Sequence, residues 1–184
     1  DIYISDGYSN SRIHVYTSSG EYKFSWGSPG VDAGQFICPH NILVDSNERI
    51  YVADRECHRV QVFDAEGNFI TMWNNIHRPN GMVLWQDHIY VAECPGFLEV
   101  GDDAPGVGNR ISIYDLNGKM VCRFGDLEYG QEEGQFVAPH GIAVDSRGDV
   151  YVSEVPYTYR SAVRGSKMDM SVPLPAMSKY ARQP

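Results

Sequence analysis

The sequence predicts an all-β chain of repeated four-stranded antiparallel sheets. Three observations carry this: a strand-like line that recurs four times, a second line that follows three of its copies, and glycine-bearing turns between strands. Recurrence at about 40–60 residues marks a repeat architecture, in which each unit stacks on its neighbour to bury its faces.

The first line is Ile2-Tyr3-Ile4-Ser5-Asp6, Ile50-Tyr51-Val52-Ala53-Asp54, Ile89-Tyr90-Val91-Ala92-Glu93 and Val150-Tyr151-Val152-Ser153-Glu154. Each copy is a short run with two usable faces that stops at an acid, the pattern of a strand. The second line is Ser11-Arg12-Ile13-His14-Val15-Tyr16, His58-Arg59-Val60-Gln61-Val62-Phe63 and Asn109-Arg110-Ile111-Ser112-Ile113-Tyr114. Turns at Gly20, Gly67 and Gly118 follow, and a further strand leads to Trp26-Gly27, Trp73-Asn74 and Phe124-Gly125. Upstream of the first line lies a fourth strand, as in Asn41-Ile42-Leu43-Val44-Asp45 and Gly141-Ile142-Ala143-Val144-Asp145.

Four antiparallel strands per unit, arrayed radially, make a β-propeller. The expected blades are a partial one over 1–27, full ones over 39–74 and 78–125, and a partial one over 138–184. Three and a half blades do not close a six-bladed ring. Either an N-terminal half lies outside this sequence, or copies of the chain associate to complete one another, since raw sheet edges are a liability. Residues 165–178, rich in Gly, Pro, Ser and Met, read as a loop, with Met177 to Arg182 returning as a strand.

Composition narrows the function classes. Hydrophobic residues at 42% and charged residues at 21% fit a packed chain rather than a disordered one. The formal net charge is −9 with no Lys/Arg cluster, which argues against a nucleic-acid partner. No apolar run is long enough for a transmembrane helix. No leader peptide is visible, and the chain opens within a strand. Cys38, Cys57, Cys94 and Cys122 form no C-x-x-C pair, which excludes zinc-ribbon and thioredoxin motifs. They read as small packing residues.

Two near-identical stretches stand out: Gly34-Gln35-Phe36-Ile37-Cys38-Pro39-His40 and Gly134-Gln135-Phe136-Val137-Ala138-Pro139-His140. Each sets a histidine at the start of a blade's innermost strand. The intervening blade has Arg78-Pro79-Asn80 instead. Histidines on alternate blades of a six-bladed ring lie about 120° apart, and three of them would converge on one metal with an open position. The same spacing also fits a duplicated strand-start turn whose imidazole bonds a loop carbonyl. His14, His58, His77 and His88 have no partner at ligand spacing and read as structural. Tyr8 and Arg55 follow acidic strand ends and flank the His40 blade on one face. Together they fit a tyrosine base favoured by nearby cations, or an aromatic turn residue beside a surface arginine.

With these motifs in view, Asp6-Gly7-Tyr8-Ser9-Asn10-Ser11-Arg12-Ile13, Gly34-Gln35-Phe36 to Pro39-His40, and Val52 to Phe63 resemble the NHL-repeat propeller of peptidyl-α-hydroxyglycine α-amidating lyase. The resemblance is strongest over 1–75 and 134–154. It implies a six-bladed propeller with an axial zinc held by three histidines, splitting peptidyl-α-hydroxyglycine into a peptide amide and glyoxylate. On that resemblance His40 and His140 match two zinc ligands, Tyr8 matches the proposed base, and Arg55 matches an arginine near the substrate. The third histidine and a second arginine would belong to the other half. Gly141 stands where the family's calcium site uses an acid, which argues against calcium. Ser9 stands at a family disulfide position, and Cys57 replaces the asparagine usual in Glu-Asn-His-Arg. The loop 94–108, with Glu99, Asp102 and Asp103, resembles bacterial relatives more than animal enzymes. The other reading is a non-catalytic NHL propeller that binds a peptide or protein, or serves as a structural unit.

Overall fold

The computed structural model describes residues 1–94, 96, 107–126, 130, 132–158, 173–174, 176 and 177–183. Most of the 94–108 loop, with Glu99, Asp102 and Asp103, and most of the 165–178 loop lie outside them.

The described chain is almost entirely β, in four antiparallel sheets. In chain order they are β1 (Ile2–Asp6), β2 (Arg12–Tyr16) and β3 (Tyr22–Trp26); β4 (Pro39–Val44), β5 (Ile50–Asp54), β6 (Arg59–Phe63) and β7 (Phe69–Trp73); β8 (Pro79–Trp85), β9 (His88–Glu93), β10 (Arg110–Asp115) and β11 (Met120–Phe124); and β12 (Pro139–Val144), β13 (Val150–Glu154) and β14 (Met177–Tyr180). Each strand pairs with the next in its sheet. The chain forms two compact units, residues 1–79 and 80–184.

The tight turns repeat a side-chain device. Asp45 accepts the N–H groups of Asn47 (2.8 Å) and Arg49 (2.9 Å), and Asp145 accepts those of Arg147 (2.9 Å) and Asp149 (3.0 Å). Asp64 and Asp115 do the same for Glu66 and Asn68, and for Asn117 and Lys119. An aspartate that satisfies its own turn's donors favours the turn over a continuing strand. The repeated tyrosine braces it: Tyr51 donates to Asp45 at 3.0 Å, and Tyr151 to Asp145 at 3.2 Å. The N–H groups of Asp149 and Arg147 and the Arg147 guanidinium outweigh desolvation and pull the Asp145 carboxyl down to about 2.

In the first unit the core joins both sheets: Ile13 from one, Ile50, Val52 and Phe63 from the other, with Phe36 between them. In the second unit Ile111, Tyr90 and Ala92 meet Val150 and Val152, with Phe136 in the matching place. The phenylalanine of each Gly-Gln-Phe stretch is therefore a plug between blades, and both rings are fully buried. Each preceding glutamine locks its loop by accepting a backbone N–H, Asp32 to Gln35 and Glu132 to Gln135. Among the described residues no helix is long and apolar enough to cross a membrane.

The cysteines are all free. Cys38 and Cys94 are buried, but Cys122 is exposed on the outer strand β11, so the reading of all four as packing residues fails there. Burial and the nearby Asp54 carboxylate push the Cys57 thiol up to about 11.

Candidate functional site

The placement of His40 starts with the loop before it. Arg59, almost fully buried, donates to the carbonyls of Val31 (2.6 Å), Asp32 (3.0 Å) and Gln35 (2.9 Å). Its Nε meets Asp54 Oδ2 at 2.9 Å, while Asp54 Oδ1 accepts the N–H groups of Ile37 (3.0 Å) and Cys38 (3.3 Å). The acid that ends the repeated line thus fixes the chain just before Pro39-His40. Buried donors and acceptors left without partners would cost more than these bonds return, so the bonds favour this loop conformation over alternatives that break them.

Gly7 brings the neighbouring blade close. A Cβ there would lie 2.5 Å from the Pro39 carbonyl oxygen, so only glycine lets β1 end against the start of β4. That approach sets Tyr8 on His40. The Tyr8 hydroxyl lies 3.2 Å from His40 Nε2, and the rings pack edge to face at 5.9 Å. Arg55 opens the 3-10 turn Arg55–Cys57 after β5, with its N–H bonded to the Cys38 carbonyl at 2.9 Å. Its Nη1 donates to the Tyr8 hydroxyl at 3.0 Å, and its guanidinium carbon sits 5.3 Å from the centre of the Tyr8 ring. Tyr8 remains 78% exposed, so the residue that joins the cluster is open to solvent and to a ligand.

Burial works against the Arg55 charge, but the bond to Tyr8 and the Glu56 carboxylate outweigh it and hold the guanidinium above its ordinary range. Burial also works against the Glu56 charge. The bonds from Arg78 and Arg55 outweigh it and hold that carboxyl below its ordinary range. The cluster is therefore an ionised arginine beside a phenol and an imidazole. It can bind a carboxylate, or hydrogen-bond a bound hydroxyl and accept its proton.

His140 occupies the matching place in the second unit, at the start of β12 and partly exposed. Its loop is held by Glu154, whose Oε2 accepts the N–H groups of Val137 (2.6 Å) and Ala138 (2.9 Å). Where the His40 blade has Arg55, this one has Val155, bonded through its N–H to the Ala138 carbonyl at 3.1 Å and packed on Cys94, Val137 and Ala138. Tyr8, His40 and Arg55 thus come together within one unit, and His140 starts the matching strand of the other, where Val155 takes the place of Arg55.

The imidazoles suit zinc by donor type. Among the described residues no three or more His, Cys, Asp or Glu stand together where they could hold a metal. A zinc on either histidine would take further ligands from outside the described residues or outside this chain.

Two features escaped sequence reasoning. His58 and His77, read as structural residues without a partner at ligand spacing, bring their Nδ1 atoms to 3.1 Å. Glu56 bridges Arg55 and Arg78. No spacing rule flags pairs 19 and 22 residues apart. The one available signal was the run of charged and titratable residues 54–59.

Comparison with known proteins agrees with the fold. A family described as 6-bladed beta-propeller matches residues 1–80. NHL repeat-containing protein 3 of Homo sapiens is 36% identical over 84% of this chain and 44% of its own length. Peptidylglycine alpha-amidating monooxygenase of Rattus norvegicus is 26% identical over 83% of this chain and 16% of its own. The chain spans less than half the length of these curated relatives. A crystal structure of a protein of unknown function from Bacteroides caccae superposes with a TM-score of 0.62 at 14% identity, over 92% of this chain and 55% of that one. The chain is thus a set of β-propeller blades with NHL-type repeats, similar in sequence both to an NHL-repeat protein and to an amidating monooxygenase.

Proposed function

We propose that this chain forms part of a zinc-dependent lyase that cleaves a peptidyl-α-hydroxyglycine, or a similar carbinolamide, to an amide and glyoxylate. The observation that carries the reading is the Tyr8 hydroxyl, which lies within hydrogen-bond reach of both His40 and Arg55 on a residue open to solvent. Similarity to the rat amidating monooxygenase supports it.

In this reading Tyr8 takes the proton of the carbinol hydroxyl. The oxygen's electron pair then forms the aldehyde carbonyl, the C–N bond breaks, and the leaving amide nitrogen takes the proton that Tyr8 had accepted, which restores the base. Arg55 stabilises the tyrosine as phenolate and pairs with the substrate's carboxylate. His40 and His140 are metal ligands, as the sequence resemblance implies. Zinc, when bound, would polarise the substrate's oxygens. The test is metal content and glyoxylate release from α-hydroxyhippurate by the full chain. His40→Ala is expected to lose zinc; unchanged zinc in that variant would remove His40 from the metal site.

The second reading is a peptide-binding NHL propeller without catalysis. It is favoured by the same exposed tyrosine stacked on an arginine, a surface that suits a peptide carboxylate or aromatic side chain. Metal-loaded protein that releases no glyoxylate would favour it.

A further inference from the structure

The Arg55 guanidinium works in two directions. Nη1 reaches Tyr8, and Nε donates to Glu56 Oε1 at 2.8 Å. Glu56 is in turn gripped by Arg78, with Nη2 to Oε1 at 2.6 Å and Nε to Oε2 at 3.1 Å. That two-point pairing of fork and carboxylate fixes direction as well as distance. The Arg78 side chain is 3% exposed, whereas that of Glu56 is 35% exposed. A nearly buried guanidinium, on the linker between β7 and β8, therefore answers a carboxylate in the turn that carries Arg55.

The backbone here is strained in a matching way. His58 and Arg78 both hold left-handed conformations without being glycine, with φ of 54° and 37°. Such conformations persist where surroundings over-determine them, and they cluster at functional sites. The surroundings are visible: the Arg78 N–H donates to His58 Nδ1 at 3.3 Å, and His77 Nδ1 lies 3.1 Å from the same atom. His58 Nδ1 is thus the acceptor of the Arg78 N–H, which makes His77 Nδ1 the donor of the pair. The same contacts that tie the linker to the turn carry Arg78 to Glu56.

We propose that Glu56 and Arg78 are positioning residues that aim Arg55 at the Tyr8 hydroxyl. The proposal rests on the reading of Tyr8, His40 and Arg55 as the reacting site. An arginine held only by a solvent-open phenol samples many rotamers. One whose second edge is clamped by a carboxylate, itself clamped by a buried arginine, presents Nη1 in one place. Arg78 is 23 residues from Arg55 in sequence, and the bonds from Arg78 to Glu56 and from Arg55 to Glu56 give it a path to Arg55.

The test uses the full chain with labelled arginine and tyrosine. In the wild type, NMR is expected to show contacts between the Arg55 side chain and the Tyr8 ring, with slow exchange of the Arg55 Nε–H. Glu56→Gln is expected to weaken those contacts and speed that exchange about 10-fold, with the fold retained. Arg78→Lys, which keeps the charge and loses the fork, is expected to act in the same direction and more weakly. If the Arg55–Tyr8 contacts are unchanged in both variants while melting temperature falls, the pair is a fold staple and the proposal is overturned. In protein that releases glyoxylate, kcat is expected to fall about 10-fold in Glu56→Gln with KM changed less; unchanged kcat despite lost contacts would also overturn it. A wild type that releases no glyoxylate refutes the lyase reading, and the NMR comparison still decides the positioning.

Discussion

The blades that carry His40 and His140 share a scaffold and differ in what stands on it. Both use an acid at the end of the second strand to hold two N–H groups just before Pro-His: Asp54 for Ile37 and Cys38, Glu154 for Val137 and Ala138. Both bury the phenylalanine of Gly-Gln-Phe, and both bond the residue after the acid to the same loop carbonyl. After that carbonyl they part. The first blade continues Arg55-Glu56 and builds an ionised cluster on Tyr8. The second continues Val155-Pro156 and builds an apolar one. Repetition preserves backbone bonds, which the fold needs, and leaves the turn side chains to differ. On this account the first blade supplies reacting groups, and the second supplies at most its imidazole.

The largest expected contrast is catalytic. Arg55→Ala is expected to lower glyoxylate release by about 10²–10³-fold, the usual loss when one donor to developing charge is removed. Val155→Ala, at the matching position, is expected to change it no more than about 3-fold, because Val155 only packs. Similar losses in both would erase the distinction between the blades.

Next comes stability. Asp54 is fully buried and paired with buried Arg59, so Asp54→Asn leaves that guanidinium uncompensated and is expected to cost about 3–5 kcal/mol by urea unfolding. Among the described residues no cation pairs with Glu154, and Glu154→Gln keeps an acceptor for both N–H groups. Its expected cost is about 1 kcal/mol or less.

The smallest effect is on pH, and it has opposite signs in the two units. Burial raises the Glu154 carboxyl above its ordinary value, against the two N–H groups that lower it. The folded unit then holds the proton more tightly than the unfolded chain. That contribution is full below about pH 4.3 and is lost as pH rises through the raised value. Burial, with the Arg78 charge, lowers His58, outweighing Glu56. The unfolded chain then binds that proton more readily, so the first unit loses stability as pH falls below about 6.5. Each effect is expected as a slope of its own sign in unfolding free energy against pH. Fluorotryptophan NMR during unfolding separates them, with Trp26 and Trp73 reporting the first unit and Trp85 the second. Slopes of the same sign would contradict the assignment.

Much of the fold was legible in the sequence because its causes are local. Alternating residues around Tyr3, Tyr51, Tyr90 and Tyr151 make β1, β5, β9 and β13, and the aspartates that follow or precede strands close their own turns. Pro-His marked the strand starts, and Tyr8 and Arg55 were placed on one face from their positions after matching acids. What spacing could not supply were contacts between loops. Glu56 reaches Arg78 and His58 reaches His77 only because the β7–β8 linker passes the turn after β5. Nor does the sequence show that Gly7 is where β1 closes on the Pro39 carbonyl, since its neighbours in Asp-Gly-Tyr read as an ordinary turn. Those contacts decide which copy of a repeated motif carries charge.

The most direct test of the central claim is glyoxylate release from α-hydroxyhippurate by the zinc-loaded full chain, with Tyr8→Phe measured beside the wild type. The account expects release by the wild type and a loss of about 10²–10⁴-fold in Tyr8→Phe, with zinc content unchanged. Equal release by the two proteins would contradict it, because the phenol that joins His40 to Arg55 would then take no part in the reaction.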